Sequence, residues 1–225
     1  MFCFFCNFAC FVKSTRKTVL PLFQHPQNRT PETIEIENGQ VVLYKHFYST
    51  EDADKLFGAL MKLVPWQQEQ ITLFGKTHPV PRLSSWHGDP KVSYVYSGIV
   101  HEPNPWTEPL AAIRLDVEKE LGEQFNSMLA NLYRDGNDRV GWHADDETNL
   151  GWNPFIASLS FGVTRRFDLR HKKDKTKRLQ LHLNHGSLLV MKGTLQHNWQ
   201  HQIPVQKKIT EPRINLTFRQ TGIRE

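Results

Sequence analysis

Beyond residue 10 this 225-residue sequence contains no cysteine, because Cys3, Cys6 and Cys10 all fall in the apolar opening "MFCFFCNFACFVKSTRK". The domain expected after that opening cannot depend on disulfides, which points to an intracellular protein, in the nucleus of a eukaryote or the cytoplasm of a bacterium. The Cys3-x-x-Cys6 spacing has no second pair and no histidine nearby, so a structural zinc is not expected there. Long apolar runs are also missing. No stretch is long enough to cross a bilayer, and the opening run lacks a basic n-region and a small-residue cleavage site, so it makes a poor signal peptide. A membrane partner is therefore not expected. Internal repeats and low-complexity tracts are absent as well.

A large net charge is lacking too, but the charge that exists is concentrated. The segment "RRFDLRHKKDKTKR", from Arg165 to Arg178, holds eight Lys/Arg against Asp168 and Asp174. It therefore carries +6 of a net +5 and leaves the rest of the chain at −1. A basic loop on a near-neutral body is the electrostatic pattern of a phosphate-backbone binder, and a solvated hairpin tip gives the same pattern.

Residues 1–38, with Pro21, Pro26 and Pro31 and no sustained period, read as a disordered tail, and residues 39–225 as one domain. Ser49 or Thr50 caps a helix with Glu51, Asp52 and Asp54 in its first turn and Leu56, Leu60 and Leu63 at helical spacing, ended by Pro65. A second helix starts at Thr107-Glu108-Pro109, repeats Leu110, Ile113, Val117 and Leu121, and stops at Gly122. From residue 125 onward the pattern changes to short β-like runs, several with period two, which suits a sandwich or jelly roll.

Within "GWHADDE" a strand would place His143 and Asp145 on one face, offering a nitrogen and an oxygen to one ion. A non-haem Fe(II) oxygenase site needs a second histidine and leaves three positions open. His182, His185, His197 and His201 are the candidates. His182 and His185, three apart in a strand-like run, point to opposite faces, and His197 and His201 have the i, i+4 spacing of a helical zinc pair but are closely followed by Pro204. In "EPRINLTFRQ", Arg213, Asn215, Thr217 and Arg219 share one face and Ile214, Leu216 and Phe218 the other. Two arginines on a half-buried strand need anionic partners, and a dicarboxylate would supply them.

Taken together and in this order, "NLYRDG", "WHADDE", "IASLSFG", "HGSLLVM", "WQHQIP" and "PRINLTFRQ" resemble the AlkB family of Fe(II)- and 2-oxoglutarate-dependent nucleic-acid dealkylases. The likeness covers roughly residues 40 to 220. It implies an α+β fold: a double-stranded β-helix (jelly roll) at about 125–220, flanked by N-terminal helices and a nucleotide-recognition lid at about 70–100. It implies His143, Asp145 and His201 as ligands to Fe(II), with 2-oxoglutarate and O2 as cosubstrates. Asn131 and Tyr133 would line the 2-oxoglutarate pocket, and Arg213 and Arg219 would pair with its carboxylates, with Asn215 and Thr217 between them.

On the substrate side the resemblance implies that Phe74, in "LFGK" with Gly75 and Lys76, wedges into a duplex, and it puts Arg82 on the same lid. Tyr94 and Tyr96 would wall the base pocket, and Asp146 would contact the target base. Asp146 raises a difficulty, because in an extended segment it points away from Asp145. The implied activity is oxidative demethylation of N1-methyladenine and N3-methylcytosine by a monomer acting on alkylated DNA, single- or double-stranded, with RNA as a further substrate. A 2-oxoglutarate-dependent hydroxylase of a protein or small molecule, and a non-catalytic nucleic-acid-binding module, are the alternatives.

Overall fold

The computed structural model describes residues 29–73, 75–90, 92, 94–96 and 99–222. A hairpin of β1 (Glu32–Ile36) and β2 (Gly39–Tyr44) leads into helix α1 (Thr50–Leu63), and two further hairpins follow: β3 (Gln70–Leu73) with β4 (Lys76–Pro79), and, after β5 (Leu83–Gly88), β6 (Tyr94–Tyr96) with β7 (Ile99–His101). Helix α2 (Glu108–Leu121) precedes β8 (Ser127–Tyr133), β9 (Val140–His143) and a single 3-10 turn at Thr148–Leu150. The chain ends in β10 (Ile156–Gly162), β11 (Arg165–His171), β12 (Arg178–Leu183), β13 (Ser187–Lys192), the one-turn helix α3 (Leu195–Asn198), β14 (Trp199–Ile203) and β15 (Arg213–Arg219).

The expected start of order at residue 39 is too late. β1 lies inside the presumed tail and pairs with β2 from Glu32↔Leu43 to Ile36↔Gly39, with Asn38 turning the hairpin at φ 56°. Ile34 and Ile36 alternate with glutamates and pack on the core, while Arg29 reaches Glu120 and stacks over Phe47. Residues 1–28 lie outside the described residues.

Two antiparallel sheets face each other, a seven-stranded one ordered β1-β2-β13-β10-β15-β8-β5 and a four-stranded one ordered β12-β11-β14-β9. Non-consecutive neighbours in both sheets are the wiring of a jelly roll. Period-two alternation divides each central strand between two cores. Val42, Leu188, Leu159 and Leu216 join α1 and α2 behind the large sheet, whereas Val41, Leu189, Ile156, Phe167 and Leu169 fill the space between the sheets.

The helices form as their ends predict. Ser49 caps α1 by accepting a hydrogen bond from Asp52 N at 3.1 Å, and α2 stops at Gly122 with φ 69°. Among the described residues no helix is long and apolar enough to cross a membrane. The basic segment is less concentrated than its sequence implies. Arg165 is fully buried and donates to the carbonyls of Asp135, Asp138 and Pro204, so it ties loops together rather than facing solvent.

Candidate active site

β14 and β9 are antiparallel neighbours, and their register sets His201 directly opposite His143, with ring centroids 4.2 Å apart. Asp145 follows two residues after His143, and one ligand atom from each of the three side chains lies within 4.8 Å of the others. His143 Nδ1 lies 2.8 Å from the carbonyl of Gly141. A carbonyl only accepts, so Nδ1 must carry the proton and Nε2 keeps its lone pair for a metal. His201 Nδ1 is buried without a hydrogen-bond partner among the described residues. His201 also stacks on Phe167, which with the β11 pairing fixes its ring from the second side.

The protonation states suit a cation. Burial pushes His201 down to about 3, with the His143 and Arg219 charges working the same way against Asp145, so the imidazole is neutral at physiological pH. Burial acts to raise the Asp145 carboxyl, but Arg219, His201 and His143 together overcome it and hold the group at about 2. Two imidazoles and a carboxylate lining one side of a small cavity match the facial donor set of a non-haem Fe(II) site.

β15 carries the opposite wall. Arg213, Asn215, Thr217 and Arg219 all line this cavity, and Ile214, Leu216 and Phe218 pack behind the sheet, as the alternation in the sequence predicts. Arg213 is 1% exposed. Its Nη2 donates to Ser160 Oγ at 2.9 Å, its charge lies over the Tyr133 ring at 5.3 Å, and its Nε and Nη1 have no partner. No carboxylate pairs with it among the described residues, and burial together with the Arg165 charge lowers its pKa to about 10, against the pull of Tyr133. A guanidinium buried this way implies an anionic ligand. Asn215 and Thr217 are already satisfied, Thr217 by Asn215 and Asn215 by Ser158 and the Leu159 carbonyl, so they shape the wall. Arg219 donates to Asp145 Oδ1 at 3.0 Å and leaves its Nε unpartnered, which puts it between the metal side and the anion side.

Asn131 and Tyr133 line the same cavity from β8. Arg82 does so as well, through a 2.7 Å hydrogen bond from its Nε to Asn131 Oδ1. The tip of the β3–β4 hairpin, Gly75 (φ 75°) and Lys76, is exposed, and Phe74 lies outside the described residues. Tyr94 and Tyr96 are on β6, but their side chains also fall outside the described ones.

β9 ends at His143, and the two aspartates beyond it face opposite ways: Asp145 lies inward at 3% exposure, and Asp146 stays on the surface, where Lys172 Nζ donates to its Oδ2 at 2.8 Å. His197 does not join the ligands. α3 ends at Asn198, so His197 and His201 never share a helical face. Sequence reasoning missed Ser158 and Ser160, whose signal was two small hydroxyls at i, i+2 in an otherwise apolar strand, and Gln196, which gave none.

The family model for the 2OG-Fe(II) oxygenase superfamily matches residues 40–219. The chain belongs to that superfamily. Within it the chain belongs with the AlkB homologues. It is 41% identical to alpha-ketoglutarate-dependent dioxygenase alkB homolog 3 of Bos taurus over 88% of this chain and 77% of that protein, and 43% identical to the Homo sapiens protein of the same name over 80% and 65%. DNA oxidative demethylase ALKBH2 of Homo sapiens is 40% identical over 78% of this chain and 71% of its own length. Among solved structures, OsALKBH1 superposes with a TM-score of 0.59 at 19% identity, covering 84% of this chain and all of that one, which supports the jelly-roll fold. For this superfamily member the donor set fits Fe(II), held by His143, Asp145 and His201, and Arg213, two of whose nitrogens have no partner among the described residues, is compatible with a carboxylate of 2-oxoglutarate.

Proposed function

We propose that this oxygenase removes N-linked methyl groups from bases in nucleic acid, with N1-methyladenine and N3-methylcytosine in DNA as its substrates. The observation that carries the reading is Arg213, a buried cation with no counter-ion among the described residues, on the wall facing a His-Asp-His set. The names of the relatives, among them a DNA oxidative demethylase, support the substrate class.

Iron, 2-oxoglutarate and O2 together supply an oxidation of the alkyl carbon, which then leaves as formaldehyde. The residues supply position. Gly141 sets the His143 tautomer, Phe167 sets the His201 ring, and Arg219 holds Asp145 ionised and oriented. Arg213 and Asn131, the latter braced by Arg82, anchor the cosubstrate, and the apolar side chains of Leu129, Ile203 and Met191 keep water from the cavity. Asp146, held by Lys172 at the rim, accepts a hydrogen bond from the exocyclic amino group that both adenine and cytosine carry. Phe74 enters the stack of a duplex, and the basic β11–β12 tip holds the backbone.

The test is formaldehyde release from single- and double-stranded oligonucleotides carrying 1-methyladenine or 3-methylcytosine, with Fe(II) and 2-oxoglutarate. Turnover on at least one strand is expected. No release from any of them, alongside 2-oxoglutarate consumption with a peptide substrate, refutes the reading.

A further inference from the structure

Trp152 is 66% exposed, more than any other large hydrophobic side chain among the described residues. It follows Gly151, whose φ of 80° turns the chain out of the 3-10 turn. One side of the indole lies on the His197 imidazole, with centroids 4.6 Å apart and planes 38° apart, and His197 Nε2 donates to the Trp152 carbonyl. The ring is therefore held in place while its other surface faces solvent.

A short series of contacts links it to the metal-side residues. His197 adjoins Gln196, whose Oε1 accepts from Asp145 N at 2.9 Å and whose carbonyl accepts from Lys172 Nζ at 2.7 Å; Lys172 in turn pairs with Asp146. The imidazole that backs the indole is thus one residue from the glutamine that holds the Asp145 amide and, through Lys172, Asp146. Lys173 and Lys175, both exposed on the neighbouring hairpin tip, have no ion-pair partner among the described residues. Asp146, Glu147, Thr148 and Asn153, also exposed, make the surroundings polar, so Trp152 is a single flat ring rather than part of an apolar patch for a protein.

We propose that Trp152, backed by His197, is a stacking site for the nucleobase next to the target nucleotide, with Lys173 and Lys175 on the adjoining phosphates. This rests on the nucleic-acid reading above. Drawing one base into the cavity uncovers a face of its neighbour, and an aromatic ring restores that stacking without regard to sequence.

The test uses a heptathymidylate with one central 1-methyladenine, intact or with an abasic residue on one side or the other. For the wild type, an abasic neighbour on one side should raise KM roughly tenfold. Trp152→Ala should raise KM on the intact strand by a similar factor with kcat within about twofold, and the two losses should not add. Trp152→Phe, which keeps a flat ring, should retain most of the affinity. A Trp152→Ala protein with wild-type KM, or one whose loss adds in full to that of the abasic neighbour that weakens the wild type most, overturns the stacking site. Anisotropy of the unmethylated fluorescent strand separates the two proposals. Binding weakened by Trp152→Ala in a protein without turnover supports the stacking site and refutes dealkylation, whereas turnover with binding untouched does the reverse.

Discussion

Replacing Arg213 by Met gives two readouts that should move in opposite directions. The guanidinium is buried, uses one nitrogen on Ser160, lies over the Tyr133 ring and has no carboxylate partner among the described residues, so in the absence of cosubstrate it is a desolvated and only partly compensated charge. A methionine fills similar space without that charge, and such replacements are commonly neutral or stabilising by about 1–4 kcal/mol. Loss of the Ser160 hydrogen bond offsets about 1 kcal/mol of this. The net change, from a loss of about 1 to a gain of about 3 kcal/mol, corresponds to a rise in Tm of up to roughly 10 °C for a chain of this length. With cosubstrate the balance reverses. Removing one partner of a buried charge pair costs about 2–5 kcal/mol, or roughly 30-fold to several-thousand-fold in affinity. Calorimetric titration of 2-oxoglutarate into the Fe(II)-loaded protein without oxygen measures the second effect, and thermal melting of the metal-free protein measures the first. A variant that binds 2-oxoglutarate within about threefold of wild type, or whose metal-free form melts far lower, refutes the assignment of Arg213 to the cosubstrate.

Asp145→Ala should abolish formaldehyde release and leave oligonucleotide binding by anisotropy largely intact; retained turnover would remove Asp145 from the iron site. Lys172→Met should free Asp146 at the rim and raise KM for a methylated strand several-fold, roughly the loss of one charge-assisted hydrogen bond, while the substrate-independent consumption of 2-oxoglutarate stays unchanged; equal effects on both would place Lys172 in the fold rather than at the base. Stability of the metal-free protein should fall as pH drops. His201 has its folded pKa lowered to about 3, so the stability it contributes is present above the ordinary value near 6.5 and is lost progressively from there towards 3. Denaturant melts should show a slope of up to about 1.4 kcal/mol per pH unit in that window, and His201→Gln should flatten it.

Much of the site follows from local rules. Period two in "RINLTFR" sorts Arg213, Asn215, Thr217 and Arg219 to the cavity and Ile214, Leu216 and Phe218 to the helices, because a strand between two cores has only those two faces. Caps and apolar spacing locate α1 and α2. The second histidine is different, since only the pairing of β14 with β9 brings His201 opposite His143 across 58 residues, and spacing alone left four candidates. β1 was missed because five residues with two isoleucines give a weak signal next to Pro31, and its pairing with β2 decides the outcome. Arg165 reads as part of the basic run, yet its burial depends on three carbonyls from loops far apart in sequence.

The two neighbouring aspartates show how a local preference is held by a distant residue. Asp145 and Asp146 have the same chemistry and adjacent backbones, and within "HADDE" only the i, i+2 spacing from His143 favours Asp145 for the metal. Gln196, fully buried on α3, holds the Asp145 amide with its side chain and Lys172 with its carbonyl, and Lys172 draws Asp146 to the surface. One carboxylate is thus dehydrated beside two imidazoles and Arg219, while its neighbour is kept solvated and paired on the surface. A single glutamine serves both without touching either carboxylate: its side chain fixes the amide on the N-terminal side of Asp145, and its carbonyl holds the lysine that pairs with Asp146.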